Sequence, residues 1–160
     1  MLNFIKKQSI ATWVSILTLL LAVVALIVYG VNVGGAGYFN GSTVSSVVTC
    51  GIIALVVILV ALVMSQFAFE GLVGKIYGIV LDALRILVPL LLFIGMFTFI
   101  SSRVEGLAYI YFSNEEILAT IQTPENLASA HSAIAGFVLF GFAALVGIVA
   151  AFFTAKKKQA

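Results

Sequence analysis

The sequence predicts an all-α membrane protein, a bundle of four transmembrane helices, and three observations carry that prediction. Of the 160 residues, 63% are apolar and only 9% are charged, against about 25% charged in ordinary soluble domains. Mean hydropathy is +1.26. Four apolar stretches each approach the ~20 residues that a helix needs to cross a hydrocarbon layer about 30 Å thick. A water-soluble domain of this size must cover most of its surface with polar groups, and this chain has too few. A soluble enzyme, a disordered tail and a disulfide-rich secreted module are excluded on those grounds.

The spans are expected at about 10–30, 44–64, 79–101 and 131–154, within a single domain of residues 1–160. The first is interrupted only by Thr12, Ser15 and Thr18. Although basic residues precede it, its apolar run exceeds the ~7–15 residues of a signal-peptide core, so it is read as a retained span. None of the four alternates apolar with polar residues, which excludes a barrel. The third should begin before its fully apolar part, because Ile76, Ile79, Val80, Ala83 and Leu84 already sit at helical spacing. Pro89, which lacks a backbone N–H, lies inside it.

Two connections stand out. Residues Gly30 to Thr43 hold five glycines. Neither a dinucleotide fingerprint nor a phosphate-binding loop fits them, because Asn40 stands where the former needs glycine and no Gly-Lys-Ser/Thr follows. A tight hairpin with Tyr38 and Phe39 at headgroup level is expected. The second, an external segment at 102–130, opens with the aromatic, β-prone stretch Val104 to Phe112. Asn114 followed by Glu115 and Glu116 reads as the capped start of a short helix. Thr123-Pro124-Glu125 reads as the start of the last helix, with cap, proline at the first helical position and acid in order.

Charge placement orients the chain. Lys6, Lys7, Lys75, Arg85, Lys156, Lys157 and Lys158 fall on one side, while Arg103 stands on the other with Glu105, Glu115, Glu116 and Glu125. By the positive-inside rule both termini are cytoplasmic and the location is the cell (plasma) membrane.

Few residues offer chemistry. Cys50 is the single cysteine, so no disulfide, redox pair or thiolate metal centre can form within the chain, and packing is its expected role. His131 lacks a partner at zinc-ligand spacing. Asp82 and Arg85, at i and i+3, can pair on one helix face, and an ionisable residue inside the membrane is a functional candidate by default. Glu70 joins them as a third candidate for an intramembrane polar site. Ala143, Gly147 and Ala151 form a small-residue stripe, and Gly74 and Gly78 form a second. Such stripes let helices approach closely in lipid, within the bundle or between molecules.

No catalytic constellation can be assembled, so an enzyme is the least favoured class, and neither metal nor cofactor is expected. The favoured reading is a structural, accessory or assembly role, as a homo-oligomer or a small subunit of a membrane complex. The alternative is an oligomeric channel or transporter for a small ion or solute, using Asp82 and Arg85. Expected partners are the lipid bilayer and either itself or another membrane protein, with no nucleic acid. The predicted threading has a direct check: a membrane-impermeant amine reagent applied to intact cells should leave Lys157 unlabelled, and labelling from outside would reverse it.

Overall fold

The computed structural model describes residues 9–67 and 69–153. It contains α1 (Ile10–Gly34), α2 (Ser45–Met64), α3 (Gly71–Phe112), α4 (Glu115–Ile121) and α5 (Pro124–Phe152), with no strand among the described residues. All but α4 are long and apolar enough to cross a membrane, which is the architecture of a multi-pass membrane protein. Lys6, Lys7 and Lys156 to Lys158 lie outside the described residues. We therefore name the two ends by their visible landmarks. The basic end holds the start of α1, the end of α2 and Lys75; the acidic end holds Glu105, α4 and Glu125.

Three of the five helices start at a side-chain cap, whereas Glu70 before α3 and Val44 before α2 supply none. Ser9 Oγ accepts from the Thr12 N–H, Asn114 Oδ1 from the Ile117 N–H and Thr123 Oγ1 from the Asn126 N–H. Each satisfies one of the amide groups that a helix N-terminus leaves without an internal acceptor. At α2 the job falls to a distant side chain. Val44 precedes the helix and offers no side-chain cap, so its N–H donates to Tyr29 Oη at 2.6 Å.

Around the bundle the order is α1, α2, α3, α5, with α5 closing back onto α1 in the most extensive of the helix contacts. The buried positions explain the geometry. On α1 they include Ala11, Ser15, Thr18, Ala22, Ala25, Tyr29 and Asn32; on α2 they are Val47, Gly51, Ala54, Ile58 and Ala61; on α5 they include Ser129, Ala133, Gly136, Phe140, Ala143, Gly147 and Ala150. Each series alternates steps of three and four. That spacing averages 3.5 residues per turn, the repeat of helices packed at about +20°.

The inward faces carry Ala, Gly, Ser and Thr, while Leu17, Leu20, Ile27, Ile52, Val56, Ile86, Ile94, Phe142 and Leu145 point out and stay exposed. Small residues inside and bulky apolar residues outside reverse the arrangement of a water-soluble bundle. It is the arrangement expected in lipid, where helices gain by close approach rather than by hiding apolar surface. Several of the large side chains that do enter lie over a glycine of the facing helix. Phe99 of α3 fills the space over Gly136 of α5: a methyl group there would stand 2.6 Å from Phe99 Cε1. Leu26 of α1 does the same over Gly51 of α2.

Two expectations change. The third span, expected at 79–101, is part of a 42-residue helix, about 63 Å long at 1.5 Å per residue. The segment at 102–130, expected to be external, is therefore helical almost throughout, and Val104 to Phe112 is the end of α3 rather than a strand. Extending an existing helix needs no new nucleus, whereas a lone strand would have no ladder partner for its amides. Glycine at Gly136 is required by contact, so Gly136→Val should destabilise the protein by about 1–3 kcal/mol through overpacking. Val138→Leu, on the exposed face, should change nothing measurable, and unfolding in mixed micelles compares the two.

Candidate functional site

The buried polar groups collect at two levels, each built around an arginine of α3. Arg85 and Arg103 are 5% and 2% exposed. Eighteen positions separate them, five full turns at 3.6 residues per turn, so they share one face about 27 Å apart along the axis. That distance is close to the thickness of a bilayer's hydrocarbon core.

At the acidic end Arg103 is the centre of a network. Its Nε donates to Asn32 Oδ1 at 3.1 Å and its Nη2 to the Ser42 carbonyl at 2.5 Å. The guanidinium lies over the Phe39 ring, 4.8 Å from its centroid, and 5.5 Å from that of Phe99. Asn32 uses its other end on α5, with Nδ2 donating to the Ser129 carbonyl at 2.8 Å and to Ser132 Oγ at 3.0 Å. Ser129 Oγ in turn accepts from the Phe39 N–H. One arginine thus ties α1, the 35–44 connection, α3 and α5 together.

The glycine-rich connection is what lets this happen. Gly37 has φ +120°, and a side chain there would collide with the Glu125 carbonyl and Ser129. Gly106 leaves room for the Phe39 ring, whose Cε1 would stand 2.5 Å from a methyl group at that position. Phe39, expected at headgroup level, is instead buried beneath Arg103, while Tyr38 remains exposed.

At the basic end Arg85 Nη1 donates to the Phe153 carbonyl at 3.0 Å. Phe153 is the C-cap of α5, where helix carbonyls lack internal donors and the helix dipole favours a cation. Arg85 Nε has no hydrogen-bond partner. Arg85 is also among the residues around a small, half-open and mostly apolar pocket to which all four long helices contribute: Ser15 and Thr18 of α1, Ile58 of α2, Arg85 and Val88 of α3, and Gly147 of α5.

Asp82 acts on Arg85 electrostatically, but the two residues differ in burial. Three positions leave them about 60° apart around the axis, and Asp82 is exposed while Arg85 is buried. Glu70 is also exposed, so neither carboxylate joins Arg85 inside the bundle. Of the first small-residue stripe, Ala143 and Gly147 are buried and Ala151 is half-buried. Strict four-residue spacing drifts about 40° per step, whereas Ala150 keeps the three-four alternation. Gly147 packs within the chain: a methyl group there would lie 3.4 Å from Thr18 Cγ2 and 3.5 Å from Pro89 Cβ. In the second stripe, Gly74 admits the Phe69 carbonyl, and Gly78 faces open space. Cys50 is half-buried, its Cβ near Gly95. His131 is exposed, and no cluster able to hold a metal ion occurs among the described residues.

The fold and its two polar levels define a four-span helical bundle closed at both ends by arginine contacts. No family model, no characterised protein and no solved structure matches the chain.

Sequence reasoning placed Arg103 as the odd cation of the outer side and did not single it out. The available signal was its 18-residue spacing from Arg85 on an otherwise apolar stripe. Asn32→Leu should cost about 2–4 kcal/mol, because it strands a buried charged donor, and Arg103→Leu about 1–3 kcal/mol, since it strands only neutral acceptors. The double substitution should cost less than the sum of the two, as expected of coupled groups. Unfolding in mixed micelles reads all three.

Proposed function

We propose that this protein is a non-catalytic component of the cell (plasma) membrane, both termini cytoplasmic, with a structural, accessory or assembly role. It acts together with further copies of itself or as a small subunit of a larger membrane complex. The observation that carries the reading is how the interior polar groups are used. Arg103, Asn32, Ser129 and Ser132 bond to one another or to backbone carbonyls across helices, which spends them on holding the bundle together. The helix interfaces are lined largely by small residues, with rings seated over Gly95 and Gly136. A bundle of this kind is a scaffold: it presents long apolar faces to lipid or to a neighbour.

A second reading, an oligomeric channel or transporter for a small ion or solute, has one observation in its favour. Arg85, though not Asp82, turns an unsatisfied donor into the interior. Native mass spectrometry of the full chain from lipid nanodiscs, with solute flux into liposomes, separates the two. The scaffold reading expects a defined oligomer or a co-purifying subunit, and no flux. A strictly monomeric, partner-free chain would overturn it, and flux abolished by Arg85→Gln would establish the second reading in its place.

A further inference from the structure

We infer that the basic end of the bundle is a binding surface for anionic phospholipid headgroups, formed by five lysines that the fold gathers from two distant stretches of chain. Lys6 and Lys7 precede α1, and Lys156, Lys157 and Lys158 follow α5. The register of α1 against α5 brings the two groups together. Thr18 meets Gly147, where a methyl group would stand 3.4 Å from Thr18 Cγ2. Asn32, fourteen positions after Thr18, reaches Ser132, fifteen positions before Gly147. The two helices therefore run antiparallel almost residue for residue. Six steps on from the Thr18–Gly147 contact, Phe153 stands level with Thr12, in the first turn of α1.

Chain length bounds where the lysines can be. A backbone spans at most ~3.6 Å per residue, so Lys7 lies within about 7 Å of Ser9 and Lys158 within about 18 Å of Phe153. All five are confined to one patch beside Trp13, which is exposed on the first turn of α1, and Lys75 is exposed at the same end. The acids at this end are Glu70, which precedes α3, and Asp82 within it. Six lysines against two carboxylates leave a large positive excess. The two acids lie on the far side of the bundle from α1, which leaves Lys6 and Lys7 unopposed. A basic cluster beside a membrane span is drawn to acidic lipid, whose headgroup charge lies within a Debye length of it. Trp13 marks the lipid boundary at this level, since indole rings favour the membrane–water interface. The opposite end cannot compete for such lipid: Arg103 is buried, and Glu105, Glu115, Glu116 and Glu125 are exposed.

The inference rests on the membrane location proposed above and not on the assembly role, so a monomeric, partner-free chain leaves it standing. Trp13 is the single tryptophan, and its fluorescence reads the lipid at this end. The full chain is placed in mixed bilayers of phosphatidylcholine and phosphatidylglycerol, with one or the other brominated near the top of its acyl chains to quench on contact. Phosphatidylglycerol should be preferred beside Trp13 by about three- to tenfold at low salt, falling toward parity at ~1 M NaCl, where the Debye length is about 3 Å. Replacing all five lysines by glutamine should abolish the preference, and it alters no residue of the described bundle. Phe112→Trp in a Trp13→Phe background moves the reporter to the acidic end, which should show no preference for phosphatidylglycerol. Inorganic phosphate at matched ionic strength should not displace the lipid. Equal quenching by the two lipids at low salt would overturn the assignment. So would a preference that survives high salt or the five-lysine variant, one found equally at Phe112→Trp, or one that inorganic phosphate removes.

Discussion

The fold depends on a cation without a carboxylate. Arg103 is buried among the ends of three helices, and what makes that burial tolerable is geometry rather than charge pairing. An amide oxygen, a loop carbonyl and two aromatic faces each take part of the guanidinium. The planar, delocalised group can donate sideways within its plane while its faces lie against rings; a lysine in the same place offers no such division. Asn32 comes from α1, Phe39 and Ser42 from the 35–44 connection and Phe99 from α3 itself. Helix α5 holds Asn32 and Phe39 through Ser129 and Ser132, so the arrangement exists only when α1, the connection and α5 have all arrived. A buried polar group whose bonds are satisfied in one arrangement alone selects that arrangement over other packings of the same apolar helices.

That selection is needed because the remaining interactions discriminate poorly. The outward faces are apolar on every long helix, and in lipid they gain nothing by turning inward. The small-residue alternation on α1, α2 and α5 permits close approach but does not by itself choose which helix meets which. Phe99 over Gly136 and Leu26 over Gly51 add shape. The network at Arg103 adds direction, since its donors and acceptors cannot be exchanged between helices.

Much of this was legible in the amino acids, and the boundary between what was and was not is physical. Long apolar runs and local caps are short-range signals, so four long apolar helices, the Asn114 cap and the Thr123-Pro124 start all appear in the structure, although the third helix runs well beyond 79–101 at both ends. The alternation Ala11, Ser15, Thr18, Ala22, Ala25 was equally readable. Contacts across the chain are another matter. Arg103 finds Asn32 71 positions away and Ser42 61 positions away, and composition offers no hint of either. Phe39 was misplaced for the same reason: an aromatic residue in a glycine-rich connection looks interfacial until Gly106 and Arg103 are known to receive it. Val104 to Phe112 shows propensity yielding to context, since its side chains favour a strand but its backbone follows the helix already under way.

The order of the segments along the chain bears on how the protein is made. Asn32 and Ser42 belong to the first hairpin, and Arg103 to the helix that follows it. In the threading proposed above, with both termini cytoplasmic, the acceptors therefore cross to the far leaflet before the arginine does. The charge is carried over into a receptor already waiting, and only Ser129 and Ser132 arrive afterwards to lock Asn32 in place. Moving Arg103 into the first hairpin, with its acceptors in the third helix, would ask the translocation machinery to release a bare cation at the far surface with nothing there to take it.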